Sequence, residues 1–177
     1  TEWKDNVKVM VQQRESSGVS TLLFEGKSTD SESTPWKYTL SLGKMAEFKS
    51  RSEDSEDAVL AARMSMATTL ILPEKPVLPG QDWAWTQRPN IPGEATWVMK
   101  YKFLDESVVE KRHLCRIQVQ FTERGKNGMQ GEGEIRWCRE TQLIHDGKWT
   151  FARAFLPSDE LAVPQALVFT WEHRPVK

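Results

Sequence analysis

The stretch that decides the fold is Leu72-Pro-Glu-Lys-Pro-Val-Leu-Pro-Gly-Gln-Asp-Trp-Ala-Trp85. Its prolines, at positions 73, 76 and 79, fix φ and remove backbone donors, so a helix cannot continue past Leu72. Pro79-Gly80 is a turn signal. Beyond it, Trp83 and Trp85 alternate with other residues, which places both indoles on one face of a strand. The stretch therefore predicts the end of a helix, an extended connector, a tight turn and the start of a strand.

The segment before this stretch has the composition of a helix. Serine and acidic residues between positions 50 and 57 suit an N-cap and a first helical turn. Val59, Ala62, Met66 and Leu70 then fall on one helical stripe. We expect a helix over about residues 55–70. The apolar stripe of this helix is interpreted as part of the core. The alternative is that its methionine, Met66, provides an adaptable contact for a ligand.

Strand signals occupy the rest of the chain. Short runs alternate apolar and polar residues, turn signals separate them, and no alternation of strands with helices is present. The sequence predicts a mainly β (α+β) protein, with a curved antiparallel sheet or half-barrel of about ten strands and the helix packed on its concave face. A β-sandwich with one helix is the alternative. The alternating runs are Val7 to Val11, Ser20 to Phe24, Trp36 to Leu42, Trp97 to Phe103, residues 114–122 and 129–139, Trp149 to Phe155, and Leu167 to Trp171.

Two connections are read from local chemistry. His145-Asp-Gly-Lys148 is predicted to be a two-residue hairpin turn, because Asp-Gly supplies the positive φ that such turns require. Asp105 to His113 is predicted to be a charged connection, with an optional short strand at Val108-Val109.

The two cysteines test the register of one predicted hairpin. Cys115 and Cys138 flank a turn at Arg124-Gly-Lys-Asn-Gly128, and a symmetric turn would place them opposite each other. The apolar pattern disagrees, because Cys115 shares a face with Ile117, whereas Cys138 lies on the face opposite to Trp137. Burial of a whole face outweighs one crosslink in choosing the register, so we expect two free thiols. A β-bulge would reverse this.

Length and charge bound the class of protein. With 177 residues the chain is expected to form a single domain over residues 1–177, with possible sub-halves at 1–71 and 72–177. The net charge is −1, from 24 basic and 25 acidic residues, so the basic excess of a nucleic-acid-binding protein is missing. No apolar run is long enough to predict a transmembrane segment. The chain begins at Thr1 without a signal peptide.

The proline-rich stretch also carries a resemblance. Leu72, Pro73, Pro76, Val77, Gly80 and Trp83 form a Leu-Pro-x-x-Pro-Val-x-x-Gly-x-x-Trp pattern that resembles a segment of uncharacterised bacterial secreted proteins and lipoproteins. Gly131-Glu-Gly-Glu-Ile-Arg-Trp137 is similar to the closing hairpin of these proteins. The resemblance covers roughly residues 55–150. It implies a helix before the motif, strands after it, and export to the periplasm, cell surface or medium, and it brings no catalytic residues.

Residues with catalytic or metal-binding chemistry do not form a recognisable motif. Gly-x-Ser-x-Gly, P-loop and His-Glu-x-x-His patterns are absent from the sequence. The three histidines, at positions 113, 145 and 173, have no metal-ligand spacing and are interpreted as surface residues. Glu132 and Glu134 share a polar strand face and are interpreted as partners in cross-strand charge pairs. We therefore expect no enzyme activity, catalytic residue, metal or cofactor.

Tryptophan is the unusual component of the composition, with eight residues. Most are expected in the core of the sheet, because large aromatic side chains are usually buried. Some could line a groove for an apolar ligand or a sugar. The speculative ligand-binding set consists of Met66, Trp83, Trp85, Trp97 and Tyr101.

Three functions remain open on the sequence. The first is a non-catalytic cell-envelope or secreted protein that binds an apolar small molecule or lipid in its curved sheet. The second is a protein–protein interaction or assembly module with a partner such as another envelope protein, through an open strand edge. The third is carbohydrate binding through exposed tryptophans, with Asp82 beside Trp83 and Trp85 to bond sugar hydroxyls.

Overall fold

The structure is a computed structural model, and it describes residues 5–28, 36–43, 48–51, 67–87, 96–125, 128–154 and 165–172. The chain divides into two compact units, Thr1–Leu72 and Pro73–Lys177. Their boundary lies inside the proline-rich stretch, one residue from the boundary between the predicted sub-halves. Proline residues there remove the main-chain donors that a continuous sheet would need.

The first unit contains a four-stranded antiparallel sheet in the order β1-β2-β3-β4. Three of its predicted alternating runs pair with one another: Val9 lies opposite Phe24, and Phe24 lies opposite Tyr38. A tight turn at Glu15–Gly18 joins the first two strands. The strands are β1 (Asp5–Arg14), β2 (Ser20–Ser28), β3 (Trp36–Leu42) and β4 (Phe48–Arg51).

The second unit contains a six-stranded antiparallel meander in the order β10-β9-β8-β7-β6-β5. Each strand pairs with its neighbour in sequence, so β5 and β10 form the two edges and the described strands do not close into a barrel. The strands are β5 (Asp82–Gln87), β6 (Thr96–Val109), β7 (Arg112–Arg124), β8 (Gln130–Cys138), β9 (Leu143–Ala154) and β10 (Gln165–Glu172).

These sheets confirm the prediction of a mainly antiparallel β protein. The finer prediction of one curved sheet or half-barrel of about ten strands is not confirmed, since the described strands belong to two sheets. The helix predicted over about residues 55–70 lies outside the described residues up to position 66. Within the described part, Ala67 and Thr68 are helical and buried. Among the described residues, no helix has the length and apolar character needed to cross a membrane.

Alternation along the strands of the second unit builds an apolar core on one face. Met99, Tyr101, Val119, Phe121 and Phe151 are at most 2% exposed, and the residues between them on the same strands are exposed or half-buried. Burying one full face while solvating the other fixes the register of every strand, because a shift by one residue would exchange the two faces. The period-2 pattern of the sequence therefore determined the pairing.

The glycines of β8 explain the Gly131-Glu-Gly133 pattern. A Cβ on Gly131 would lie 2.7 Å from Cε1 of Phe121, and one on Gly133 would lie 2.6 Å from Cδ1 of Trp149. The missing side chains let these two rings cover β8 directly, which is how sheets place large aromatics over a strand. Phe121 also meets Phe151 edge-on, with ring centroids 5.2 Å apart. Gly131 and Gly133 are thus required by the packing of aromatic rings over β8.

Two predicted connections are corrected. Asp146 and Gly147 lie inside β9, and the turn falls earlier, at residues 139–142, where Gln142 has φ 57°. Gly147 is required for packing, because its Cβ would lie 2.6 Å from Cη2 of Trp149. Residues 105–113 are no loose connection: β6 and β7 continue to a two-residue turn at Glu110-Lys111, where both residues have positive φ. Neither residue type signals such a turn.

Candidate functional site

Four of the five predicted ligand-binding residues lie on two adjacent strands. Trp83 and Trp85 of β5 face Tyr101 and Met99 of β6, and Trp97 lies opposite Gln87. Odd-numbered residues of both strands point to the apolar face, because side chains alternate along a strand. Met66 lies outside the described residues. The sheet thus brings the four aromatic side chains to one face.

Packing distinguishes an inner and an outer pair among these rings. Tyr101 is 1% exposed and Trp97 is 8% exposed, while Trp83 and Trp85 on the edge strand are half-buried. Trp83 stacks on Tyr101 with centroids 5.1 Å apart and planes at 19°, and Trp97 stacks on Phe121 at 6.3 Å. Trp97 and Tyr101 are therefore core residues, and the accessible ring surface belongs to Trp83 and Trp85.

The indole nitrogen of Trp85 is a buried donor. Its Nε1 is shielded from solvent and has no hydrogen-bond partner among the described residues. A buried donor without an acceptor costs about 1–3 kcal/mol, so most such groups in folded proteins are paired. The neighbouring ring of Trp83 has further interactions within the chain. Trp85 is thus the polar group of the aromatic cluster that an incoming acceptor would satisfy.

Asp82 does not join this cluster. It is exposed and lies opposite Lys102, on the solvated face of the sheet, whereas Trp83 and Trp85 point to the apolar face. The acid and the rings of the predicted carbohydrate platform therefore lie on opposite sides of β5. Among the tryptophans whose burial is described, Trp97 and Trp149 are buried and the other three, at positions 83, 85 and 137, are half-buried.

Ion pairs organise the solvated face. Arg116 donates from Nε to Oδ1 of Asp105 at 3.2 Å and from Nη1 to Oε1 of Glu134 at 3.4 Å. The hydrogen bond from Arg116 lowers the pKa of Asp105. Glu132, two residues from Glu134, is exposed and faces Gln120. Glu134 therefore forms a cross-strand charge pair as predicted, whereas Glu132 lies opposite the uncharged residues Gln120 and Thr150.

A second pair lies further along the same row. Arg136 donates from Nε to Oδ1 of Asp146 at 2.8 Å, and Nδ1 of His145 lies 2.7 Å from Oδ2 of Asp146. Burial raises the pKa of Asp146, but the hydrogen bonds from Arg136 and His145 outweigh burial, so the pKa is lowered. The carboxylate is therefore held ionised by two donors.

Glu140, in the turn between β8 and β9, lies between a histidine of β7 and the cysteine that ends β8. Oε1 of Glu140 lies 2.7 Å from Nδ1 of His113, and Sγ of Cys138 donates to Oε2 of Glu140 at 3.3 Å. The bond from His113 lowers the pKa of Glu140 to about 2. A nucleophilic cysteine needs a base or a positive charge beside its sulfur. Here the carboxylate of Glu140 lies between the sulfur and the imidazole, so His113 bonds the carboxylate and not the sulfur.

The other cysteine, Cys115, is buried and has the guanidinium of Arg139 beside its sulfur. Cys115 is 5% exposed, and burial raises the pKa of its thiol. Metal ligation is not supported either: in the described ranges, no group of three or more His, Cys, Asp or Glu residues could hold an ion. His113 and His145 each bond a separate carboxylate, and His173 lies outside these ranges.

The outer edge of β5 is the feature that the sequence did not predict in detail. Phe103 N donates to Gln81 O at 2.9 Å, so the odd-numbered residues of β5 direct their main-chain groups toward β6. The main-chain groups of Asp82, Ala84 and Thr86 consequently point away from the sheet. Sequence patterns could not predict this edge, because they describe short segments and do not contain the position of β5 within the sheet.

Fold and site together define a mainly antiparallel β protein with an aromatic cluster on an edge strand. Comparison with protein-family models, with curated protein sequences and with solved structures found no match to this chain.

Proposed function

We propose that this protein is a non-catalytic binding protein that holds an apolar small molecule or lipid at the aromatic cluster of β5 and β6. Supporting this proposal, Trp83 and Trp85 offer half-buried ring surface beside the core residues Trp97 and Tyr101. Ligand sites for apolar molecules combine such surface with a few placed polar groups. A cell-envelope or secreted location belongs to the proposal and rests on the resemblance of the proline-rich motif.

The observation that carries the proposal is the buried Nε1 of Trp85, which lacks an acceptor in the described part of the chain. An indole N–H can only donate, and a buried tryptophan usually finds a partner for it. A ligand with a carbonyl, ester or carboxylate oxygen on an apolar body would supply that partner. The ligand class is therefore a fatty acid, an acyl lipid or a similar apolar molecule with one acceptor.

The non-catalytic part of the proposal is supported by the polar groups. Arg116 and Arg136 are bound to carboxylates on the solvated face, and Glu140 lies between Cys138 and His113. Cys138 contacts the carboxylate of Glu140 and not the imidazole of His113, so these residues do not form the Cys–His pair of a cysteine nucleophile.

A second candidate function, an interaction or assembly module, is favoured by the outward-facing main chain of β5. An unpaired strand edge is a template for another strand. The third candidate, carbohydrate binding, has less support, because Asp82 lies on the face opposite to Trp83 and Trp85.

Native mass spectrometry before and after organic extraction tests the ligand proposal. We expect a small-molecule adduct that extraction removes. In Trp85→Phe, which keeps a ring and loses the donor, we expect the affinity for the re-added extract to fall about two- to tenfold, as for one neutral hydrogen bond. Trp137→Phe is the matched control, since Trp137 is half-buried on β8 and should leave the affinity unchanged. A bare mass, together with no binding of a fatty acid or phospholipid, would contradict the proposal.

A further inference from the structure

The outer edge of β5 has the properties of a strand-pairing surface. The residues whose main chain points outward are Asp82, Ala84 and Thr86, and all three are exposed. None has a hydrogen bond within the described part of the chain. Edge strands are commonly protected from pairing by lysine, proline or a bulge. The outward positions of β5 contain no lysine or proline, and the one charged residue among them is Asp82.

The charges beside this edge are uncompensated. Lys102 and Lys100 lie opposite Asp82 and Ala84 on β6, and both lysines are exposed. Within the described residues neither lysine forms an ion pair, whereas Arg116 and Arg136 on the same face do. Ala84 has a small side chain, so it leaves open space between Lys100 and whatever lies beyond β5. A strand added here would meet two ammonium groups.

We propose that β5 pairs with β5 of a second copy of this chain, antiparallel and about a two-fold axis, with Asp82 of each copy opposite Ala84 of the other. This inference rests on the second candidate function, the interaction or assembly module, and does not depend on ligand binding. It joins two six-stranded sheets edge to edge. The pairing uses the main-chain donors and acceptors that point outward, as in β-augmentation, and a two-fold axis makes the interface self-complementary.

The charges select this register. With Asp82 opposite Ala84, the carboxylate of one copy and Lys100 of the other lie in the same row two strands apart, about 10 Å at ordinary strand spacing, and the long lysine side chain reaches over the small alanine. Each carboxylate then lies between Lys102 of its own copy and Lys100 of the second. A symmetric register that also pairs the outward main-chain groups places Asp82 opposite Thr86, which lies beside Val98 and offers no cation.

The apolar face agrees with this register. When Asp82 lies opposite Ala84, residue 83 of each copy falls on the two-fold axis, so the half-buried indoles of Trp83 meet each other. Aromatic pairs at facing positions stabilise antiparallel strands. The same strand therefore supplies an aromatic contact on one face and a charge contact on the other.

Ala84→Pro tests the edge directly. Proline at this position removes an N–H that points away from β6 and leaves the β5–β6 bonds intact, as proline does on edge strands. We expect the wild-type chain to sediment as a dimer in analytical ultracentrifugation and Ala84→Pro to sediment as a monomer. The far-ultraviolet circular dichroism of the variant should stay that of the wild type. A monomeric wild type at its highest soluble concentration, or a dimeric Ala84→Pro, would overturn the proposal.

Lys100→Glu tests the register and does not depend on proline. It brings a carboxylate to Asp82 of the second copy, and we expect the dissociation constant of the dimer to rise at least tenfold. Adding Asp82→Lys to this variant should restore most of the affinity. Lys148→Glu is the matched control: it makes the same change in net charge on β9, away from the edge, and should leave the dimer unchanged. Equal weakening by both single variants would overturn the pairing of Asp82 with Lys100.

The outcome is separable from the ligand proposal. The same samples are measured by native mass spectrometry, where Lys100→Glu should lose the dimer and keep the extractable adduct. A dimer without an adduct would overturn only the ligand proposal, and a monomer that carries an adduct would overturn only this one.

Discussion

Cys115 and Cys138 are one residue out of register on adjacent antiparallel strands: Cys115 lies opposite Trp137, and Cys138 lies opposite Leu114. Their side chains therefore leave opposite faces of the sheet, where a disulfide cannot form without backbone movement. Both thiols are free, as the apolar pattern predicted. Alkylation of the unfolded, unreduced protein should add a label to both cysteines. An unlabelled protein would mean that the register of β7 and β8 is different.

Gly133 is required by the ring of Trp149. Its Cβ in Gly133→Ala would lie 2.6 Å from Cδ1 of Trp149 and 2.7 Å from the main-chain oxygen of Lys148. Because the ring is buried and the oxygen belongs to the ladder, neither can move cheaply. We expect the free energy of unfolding to fall by about 1–3 kcal/mol, as for other overpacked cores, in urea denaturation. Glu132→Ala, at the adjacent exposed position, is the control and should change it by less than about 0.5 kcal/mol.

Trp85→Phe should have a different effect on the ligand-free and the loaded protein. In the extracted protein the substitution removes a buried donor that lacks an acceptor, which offsets part of the packing lost with the larger ring. In the loaded protein it removes a hydrogen bond to the ligand. We therefore expect the melting temperature to fall further in the loaded form. An equal fall in both forms would mean that Nε1 does not contact a ligand.

Glu140 should contribute to stability in a pH-dependent manner. The hydrogen bond from His113 lowers its pKa in the folded protein from 4.5 to about 2. Because the folded protein binds this proton less readily than the unfolded chain, the carboxylate stabilises the fold in full above about pH 4.5. The stabilisation is lost as the pH falls toward 2, where the carboxylate of the folded protein also becomes protonated.

The difference in unfolding free energy between wild type and Glu140→Gln should accordingly be largest above pH 4.5 and vanish near pH 2, measured by urea denaturation across this range. His113→Gln removes the imidazole that bonds this carboxylate and should give a smaller difference with the same direction of pH dependence, because the main-chain N–H of residue 113 still bonds the carboxylate. A difference that stays constant with pH would show that the carboxylate acts only through packing of the turn.

The sequence by itself determined the strands and the two faces of the second sheet. Cys115, Ile117 and Phe121 alternate with polar residues, and this pattern alone set the register, because only one pairing buries every apolar side chain together. The same reasoning placed Trp83 and Trp85 on one face. The helix predicted over about residues 55–70, with Met66 on its apolar stripe, remains a prediction. Its packing on the concave face of a sheet and the exported location of the protein also remain predictions.

The tertiary structure decided what local chemistry could not. Asp146-Gly147 has the composition of a turn, yet Gly147 lies within β9 because Trp149 needs the space that a Cβ would fill. Glu110-Lys111 lacks turn chemistry, yet it adopts positive φ because the long pairing of β6 with β7 imposes a two-residue loop. The division into two sheets and the open edge of β5 likewise depend on which strands become neighbours. Which strands become neighbours depends on the burial of side chains that are far apart in the sequence, and no short segment contains that information.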